Sequence, residues 1–535
     1  RERDQWNWQL GENWLPRFAH RANPEWNGAI FAPVGQRFMV YRAPRTPGAQ
    51  SFTFSVGDIY QTANIRHKLP GVRLVASEFN WGYQPGFVIS IYAGTLLASI
   101  ALRCPGPARF ESEGGDRSPL RVRIHCDGEP TLFVGIGLSA VGAYSATLEA
   151  HRVPHETWQQ ETEDWLAARA ISVKDAELER KANRNAHFAR FFAMGRALDT
   201  DEVVSMTSRS YRYYVSSAYW DRDSLLWLYP FLVRNDKAHA EQLLRFAFGR
   251  QLNATGIHSR YITGRILEFG FELDELLAPL VALGQWNALY PKARIWEDDL
   301  FRRGVDALMT RFTTWRHKKH ALYSTELMPT DDLVLEGRSY LTYNNALAIY
   351  ALKLCQPIFR RIAPKWAKFA ASESAAIRGA VKKHLVKNGM FQWAGDLAGD
   401  LEFYDEAAGS LVLLPYLGFC KPSDPVYGKT LKHLYSKDYP YYRSGPFAEL
   451  GNRHTDSPHP WVLSACSSVV SGVRVKEGLD FLRRAPMDDG IACESVDINT
   501  GVPTSGLHFG TCAGYVAYAI MAGAAKARTR PGSSA

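Results

Sequence analysis

The sequence predicts a multidomain α+β chain, an N-terminal antiparallel β-sandwich followed by an (α/α)6 toroid. Three observations carry this. The period of the apolar pattern changes near residue 150, from strict alternation before it to helical spacing after it. Beyond about residue 200, segments that are apolar all round alternate with amphipathic, charged ones. The unusual polar and aromatic clusters fall almost entirely in the loops that enter the all-apolar segments.

Residues 1–152 form the expected sandwich. Arg37-Phe38-Met39-Val40-Tyr41, Ser51-Phe52-Thr53-Phe54-Ser55-Val56, Val72-Arg73-Leu74-Val75-Ala76 and Phe87-Val88-Ile89-Ser90-Ile91-Tyr92 read as strands. So do Leu120-Arg121-Val122-Arg123-Ile124 and Thr131-Leu132-Phe133-Val134-Gly135, with Gly, Pro and Asp clusters between the runs. No chemical role is visible in this part, and packing against a second domain is its expected task. Residues 153–200 are rich in Glu, Ala and Lys, with no Gly between residue 155 and Gly195, and read as a helical linker.

Residues 201–527 form the expected toroid, and 528–535 a disordered tail. The buried helices are expected at 225–233, 276–286, 346–354, 409–418, 461–472 and 509–525. Their half-exposed partners are expected at 237–250, 296–312, 365–386, 428–435 and 475–484, with 202–216 supplying a sixth. Helices buried all round belong in an inner ring. Inner helices that run parallel put every loop entering them at one end. Those loops hold residues 220–223, 258–274, 331–345, 402–406, 452–456 and 494–508.

Composition excludes several classes. Among 535 residues the net charge of +9 is modest, and no Lys/Arg block resembles a nucleic-acid arm. The seven cysteines are scattered without CxxC or Cys/His clustering, so neither a zinc site nor a disulfide framework is indicated. The most apolar stretch, 512–525, is too short to span a membrane. The chain begins at Arg1 without Met, as after removal of an export signal, which slightly favours a periplasmic or secreted setting. An aromatic content of 13% with 15 Trp suits a surface that binds sugar rings, although large cores also use aromatics.

The chain is organised around Trp220-Asp221-Arg222-Asp223-Ser224, which opens directly into an all-apolar run. Asp223 or Ser224 capping a helix is one reading; carboxylates gripping sugar hydroxyls beside a Trp face is the other. Glycosidic hydrolysis needs two carboxyl groups on opposite sides of the bond. Asp331 and Asp332 are the acid candidates, because adjacent carboxyls raise each other's pKa. Glu494, among small apolar neighbours, is the base candidate. An inverting pair would stand roughly 6.5–9.5 Å apart across a pocket floored by Trp220, Arg222 and Asp223. His454 and His459 lack metal-ligand spacing, and no Gly-x-Ser-x-Gly elbow or phosphate loop is present.

The stretch Leu414-Pro415-Tyr416-Leu417-Gly418-Phe419, Asp424-Pro425-Val426-Tyr427 and Ser436-Lys437-Asp438-Tyr439-Pro440-Tyr441-Tyr442, with Gly445, Gly451 and His454-Thr455, resembles glycoside hydrolase family 125. Weaker echoes fall at Trp220-Asp221-Arg222-Asp223-Ser224, Phe271-Glu272-Leu273-Asp274, Pro329-Thr330-Asp331-Asp332 and Cys493-Glu494-Ser495. The resemblance covers about residues 205–525. It implies a metal-independent, inverting exo-α-mannosidase on an (α/α)6 toroid, without cofactor. One of Asp331 and Asp332 would be the general acid and Glu494 the general base. Trp220, Asp221, Arg222, Asp223, Glu272, Asp274, His454 and His508 are the expected sugar contacts, on an oligosaccharide or polysaccharide substrate. Cys493 stands where the family has His, Val496 where it has Phe, and the N-terminal β domain is not typical of it. An inverting phosphorylase and a catalytically silent carbohydrate-binding protein are the alternatives.

Overall fold

The computed structural model describes residues 29–31, 37–42, 49–56, 72–81, 84–93, 95–106, 108–114, 120–127, 131–198, 200–210, 212–213, 218–329, 331–335, 337–455 and 459–529. The chain divides into two compact units. Arg1–Ala170, Gly195–Glu202 and Arg209–Ser217 form the first; Ile171–Met194, Val203–Ser208 and Ala218–Ala535 form the second.

In the first unit a six-stranded antiparallel sheet runs in the order Ala29–Phe31, Phe38–Arg42, Thr131–Gly137, Thr95–Arg103, Gln84–Ala93, Val72–Trp81. A three-stranded sheet runs Ala49–Val56, Leu120–Asp127, Ala108–Glu113. Alternation decides the faces: Met39, Ile89, Ile100 and Val134 of the first sheet share one buried cluster with Val122 and Ile124 of the second. The strands Thr95–Arg103 and Ala108–Glu113 were not anticipated from the sequence. Nor was the helix Ala140–His151, opened by Ser139 Oγ accepting from Gly142 N at 3.1 Å. That helix and His155–Ala167 cover the outer face of the large sheet, where Phe38, Val40 and Phe133 meet Ala150 and Trp158. This explains why Thr131–Gly137 is apolar almost throughout: it is buried on both faces. A Cβ at Gly135 would stand 2.1 Å from the Ala143 carbonyl oxygen, so only glycine lets the helix approach.

The second unit alternates buried and half-exposed elements, as the pattern predicts. The buried set comprises Arg222–Leu228 continuing into Tyr229–Asn235, then Leu273–Leu289, Thr342–Ile362, a short-turn segment near 407–413, Val462–Ser471 and Gly510–Thr529. Each packs on the next, and the last packs on the first. The outer helices are Lys237–Phe248, Asp299–Thr314, Pro364–His384, Pro425–Leu434 and Val475–Arg484.

Three expectations need correction. No helix occurs among the described residues of 202–216; Val203–Ser205 is a strand. β-branched Val203 and Val204, followed by Ser205, Thr207 and Ser208, favour extended backbone and local side-chain bonding over a helix. The sixth outer position is taken by Ala176–Phe192, which packs on Gly510–Thr529 and Val475–Arg484. The 153–200 segment is thus not one linker, because its two helices belong to different units. The buried helix expected over 409–418 is replaced by two 3-10 turns, Ala407–Gly409 and Leu411–Leu413. Ser410 Oγ and Leu411 N both donate to the Asp405 carboxylate, at 2.8 and 2.7 Å, and Pro415 has no N–H to continue a helix.

Candidate active site

The first buried element opens as a wide, π-type turn over Arg222–Leu228, before Pro230, which has no N–H for a regular α ladder. That turn sets Arg222 fully inside, facing the first turn of Leu273–Leu289. Its guanidinium donates to Glu272 Oε2 at 2.7 and 2.8 Å and to Asp274 Oδ2 at 3.2 Å. Glu275 Oε1 lies 3.3 Å away. His258 Nδ1 stands 2.7 Å from the other Glu272 oxygen, and Trp220 meets the His258 ring edge-on at 5.8 Å. Acids in the first turn suit the positive end of that helix.

Asp221, expected to touch sugar, is turned the other way. It is completely buried, accepts from the Tyr219 hydroxyl at 2.6 Å and is paired with Arg260. Glu275 takes the backbone N–H groups of Asp221 and Arg222. Asp221, Arg260 and Glu275 therefore brace the loop from behind. Asp223 Oδ1 accepts from Thr207 Oγ1 and Thr511 Oγ1, each at 3.0 Å.

Electrostatics separate these groups. Burial pushes the Asp223 carboxyl up to about 6, against the opposing pull of Arg222 and the two threonine hydroxyls. Burial also raises Asp274 and Glu275, with Arg222 opposing. Burial alone would lower the Arg222 guanidinium, yet Asp274, Glu272 and Glu275 hold it above its usual value, so it stays a cation. The result is a fixed positive charge among carboxyls, two of which, Asp223 and Asp274, are pushed up to about 6.

The third loop is anchored beside this group. Thr325 Oγ1 accepts from Leu273 N at 3.2 Å, and Glu326 N donates to the Phe271 carbonyl at 2.9 Å. This seats the hairpin of Leu327–Met328 and Asp331–Val334 beside Glu272. The side chains of Asp331 and Asp332 lie outside the described residues, as does their expected separation from Glu494. Tyr343, at the start of the next buried helix, has its phenol pushed up by burial and further by Asp274.

Glu494 is buried between the fifth and sixth inner elements. Its carbonyl accepts from Val462 N at 2.9 Å, and its N–H points at the Ser505 and Gly506 carbonyls, at 3.3 and 3.2 Å. Gly506 is required there: its φ is +55°, and a Cβ would lie 2.2 Å from the Glu494 carboxyl carbon. Thr511, which opens the last inner helix, donates through Oγ1 to Asp223 and through its N–H to the Thr207 carbonyl, each at 3.0 Å. The first and last loops thus adjoin.

Loops four and five form one knot. Asn452 Nδ2 donates to Glu406 Oε1 at 2.7 Å, the Tyr404 hydroxyl donates to Glu406 Oε2 at 2.9 Å, and Arg453 pairs with Glu402. His454 stands edge-on to Trp461 at 5.8 Å, and Trp461 bridges to Ser495 beside Glu494. His508 takes a different direction: Nε2 lies 3.0 Å from Asp488 and its ring rests on Phe188 at 5.0 Å. The structure therefore gathers Trp220, Arg222, Asp223, Glu272 and Asp274, and spends Asp221 and His508 on bracing. Sequence reasoning missed His258 and Glu275 as individual residues. The acid-rich helix start at 272–275 was the available signal for Glu275. Among the described residues, no group of three or more His, Cys, Asp or Glu is disposed to hold a metal ion, and no helix is long and apolar enough to cross a membrane.

Residues 299–520 match the model of the metal-independent α-mannosidases, glycoside hydrolase family 125. The chain carries a family 125 glycoside hydrolase domain. Asp331, Asp332 and Glu494 lie within the matched part of that domain; Trp220, Arg222, Asp223, Glu272 and Asp274 precede it. The meiotically up-regulated gene 157 protein of Schizosaccharomyces pombe is 31% identical over 117 residues, 21% of this chain and 23% of that protein, so the match spans under a quarter of that relative. Among solved structures, a Streptococcus pneumoniae metal-independent α-mannosidase, described for processing N-linked glycans and bound non-productively to α-1,6-mannobiose, superposes with a TM-score of 0.58 at 20% identity. The likeness covers 69% of this chain and 98% of that one. A bacterial glucoamylase complexed with acarbose superposes with a TM-score of 0.62 at 12% identity, over 93% of this chain and 81% of that one. The glucoamylase likeness thus extends beyond the family 125 domain into the N-terminal unit.

Proposed function

We propose that this chain is an inverting, exo-acting glycoside hydrolase of α-mannosides, working on an (α/α)6 toroid with Glu494 as general base and one of Asp331 and Asp332 as general acid. The family 125 match carries the reading, because it encloses all three carboxyl candidates. Two features of the molecule support it. The six buried elements pack in sequence with the sixth on the first, as an inner ring requires. The first and second of the loops entering them meet at a buried Arg and its carboxylates, and Thr511 of the last element bonds to Asp223 beside them. In this reading Arg222 donates to sugar oxygens while Glu272 and Asp274 hold its direction. Asp223 and Asp274 accept from ring hydroxyls. Glu494, pressed against Gly506, draws a proton from the attacking water as the acid protonates the leaving oxygen.

The test is the stereochemistry of the first product. Hydrolysis of α-1,6-mannobiose and of an aryl α-mannoside, followed by proton NMR within the first turnovers, is expected to release β-mannose in phosphate-free buffer. Initial release of α-mannose, or turnover only with added phosphate, overturns the mechanism.

A further inference from the structure

Outside the carboxylate site, a cavity of about 670 Å³ opens beside the end of the Asp299–Thr314 helix. Its size lies within the roughly 300–1,000 Å³ typical of small-ligand sites. Trp315, His317 and Tyr340 line it with rings, and Lys318, Lys319 and His320 line it with cationic or ionisable side chains. These are not simply a solvated surface run. Trp315 is fixed by stacking on Phe271, with ring centroids 3.7 Å apart and planes 1° from parallel. His317 and His320 stack at 4.9 Å, and His384 stands 4.5 Å from His320. His317 Nδ1 accepts the backbone N–H groups of Lys319 and His320, at 3.2 and 3.1 Å. Its remaining ring nitrogen, Nε2, therefore carries a proton and can donate in either charge state.

The charge balance of the cavity is one-sided. Arg316 is committed to Glu373, with Nε 2.6 Å from Oε1. Asp396, an acid on the wall, turns one oxygen to its own loop, Oδ1 accepting from the N–H groups of Ala398, Gly399 and Asp400 at 2.8, 3.0 and 2.9 Å. Neither Lys318 nor Lys319 has a carboxylate partner among the described residues. The local field agrees: burial lowers His317 below the ordinary imidazole value, and His320, Lys319 and Arg316 lower it further.

We propose that this cavity binds a phosphorylated saccharide, the phosphate held by Lys318, Lys319 and the His317 Nε2–H, and the sugar ring lying on Trp315 and Tyr340. A neutral sugar would leave the charges of Lys318 and Lys319 without a counter-charge. A bare anion would leave the fixed ring surfaces without a purpose. Lysines bind phosphate as point charges, and aromatic faces bind the apolar face of a pyranose. The cavity adjoins the carboxylate site in the chain: Trp315 stacks on Phe271, next to Glu272, and Ser324 and Tyr340 bracket the segment that carries the Asp331–Val334 hairpin strand. Binding here is independent of which glycosidic bond the enzyme cleaves.

Calorimetric titration of the full chain with mannose 6-phosphate, mannose and inorganic phosphate tests the proposal. Mannose 6-phosphate is expected to bind at least about tenfold more tightly than either fragment, because charge and ring contribute together. The double substitution Lys318→Ala and Lys319→Ala should weaken it by about tenfold or more, and the Lys→Arg pair should retain it, with thermal unfolding confirming that both variants fold. Equal binding of inorganic phosphate, no binding of mannose 6-phosphate, or an unaffected Ala pair would each overturn it. None of these readouts depends on mannosidase turnover, so failure of the proposed reaction would be seen separately.

Discussion

Replacing Asp223 by Asn removes a buried charge while keeping its shape. Oδ1 accepts both threonine hydroxyls, so the carbonyl of Asn can take over both bonds, with the amide group where Oδ2 stood. Burial has moved this carboxyl from its ordinary 3.8 up to about 6. At 1.36 kcal/mol per pKa unit, that rise corresponds to about 3 kcal/mol. The sign follows from linkage. A carboxyl whose folded pKa is raised binds its proton more tightly when folded, so its contribution is intact below about pH 4 and is lost as pH climbs through about 6. The Asn variant mimics the protonated form at every pH. Its stability relative to the parent should therefore be near zero difference at pH 4 and rise to as much as about 3 kcal/mol in its favour by pH 7.5. Urea unfolding followed by tryptophan fluorescence between pH 4 and 8 measures this, and α-mannoside turnover is measured in parallel. A more stable but less active protein would mark Asp223 as a group held at a cost for function. A pH-independent difference, or a variant weaker than the parent at pH 7.5, would refute the reasoning.

Glu494→Gln and single Asn substitutions at Asp331 and Asp332 should leave thermal unfolding within about 1 kcal/mol of the parent, since the amides are isosteric. The Glu variant and one Asp variant should each lose kcat by about a hundredfold or more, while the second Asp variant chiefly raises KM. Near-full activity of Glu494→Gln would remove the base assignment and turn attention to Glu402 and Glu406. Gly506→Ala should destabilise by about 1–3 kcal/mol, because it combines a left-handed backbone with a collision at Glu494. It should also reduce turnover more than binding, which steady-state kinetics on an aryl mannoside would resolve; unchanged kcat would mean that the Glu494 carboxylate need not rest where it does.

Most of the helix plan was legible because periodicity is a local property. The segments at 276–286, 346–354, 461–472 and 509–525 are apolar all round, and burial on all sides has no other local solution. The strands Phe38–Arg42 and Leu120–Asp127 alternated in the same direct way. The loop positions of Trp220, Arg222, Asp223, Glu272, Asp274 and Glu494 were legible too, since charge at the mouth of a buried helix is conspicuous. Which partner each charge takes was not. Asp221 and Asp223 are two residues apart and chemically identical, yet one is paired with Arg260, 39 residues away, and the other is bonded to Thr207 and Thr511. The helix Ala176–Phe192 looked like a linker because its own face is only moderately apolar. Its role was decided by Gly510–Thr529, which is more than 300 residues away and buries that face. Local pattern sets what each segment can be; only long-range contacts, whose partners carry no shared period, set which way a side chain turns.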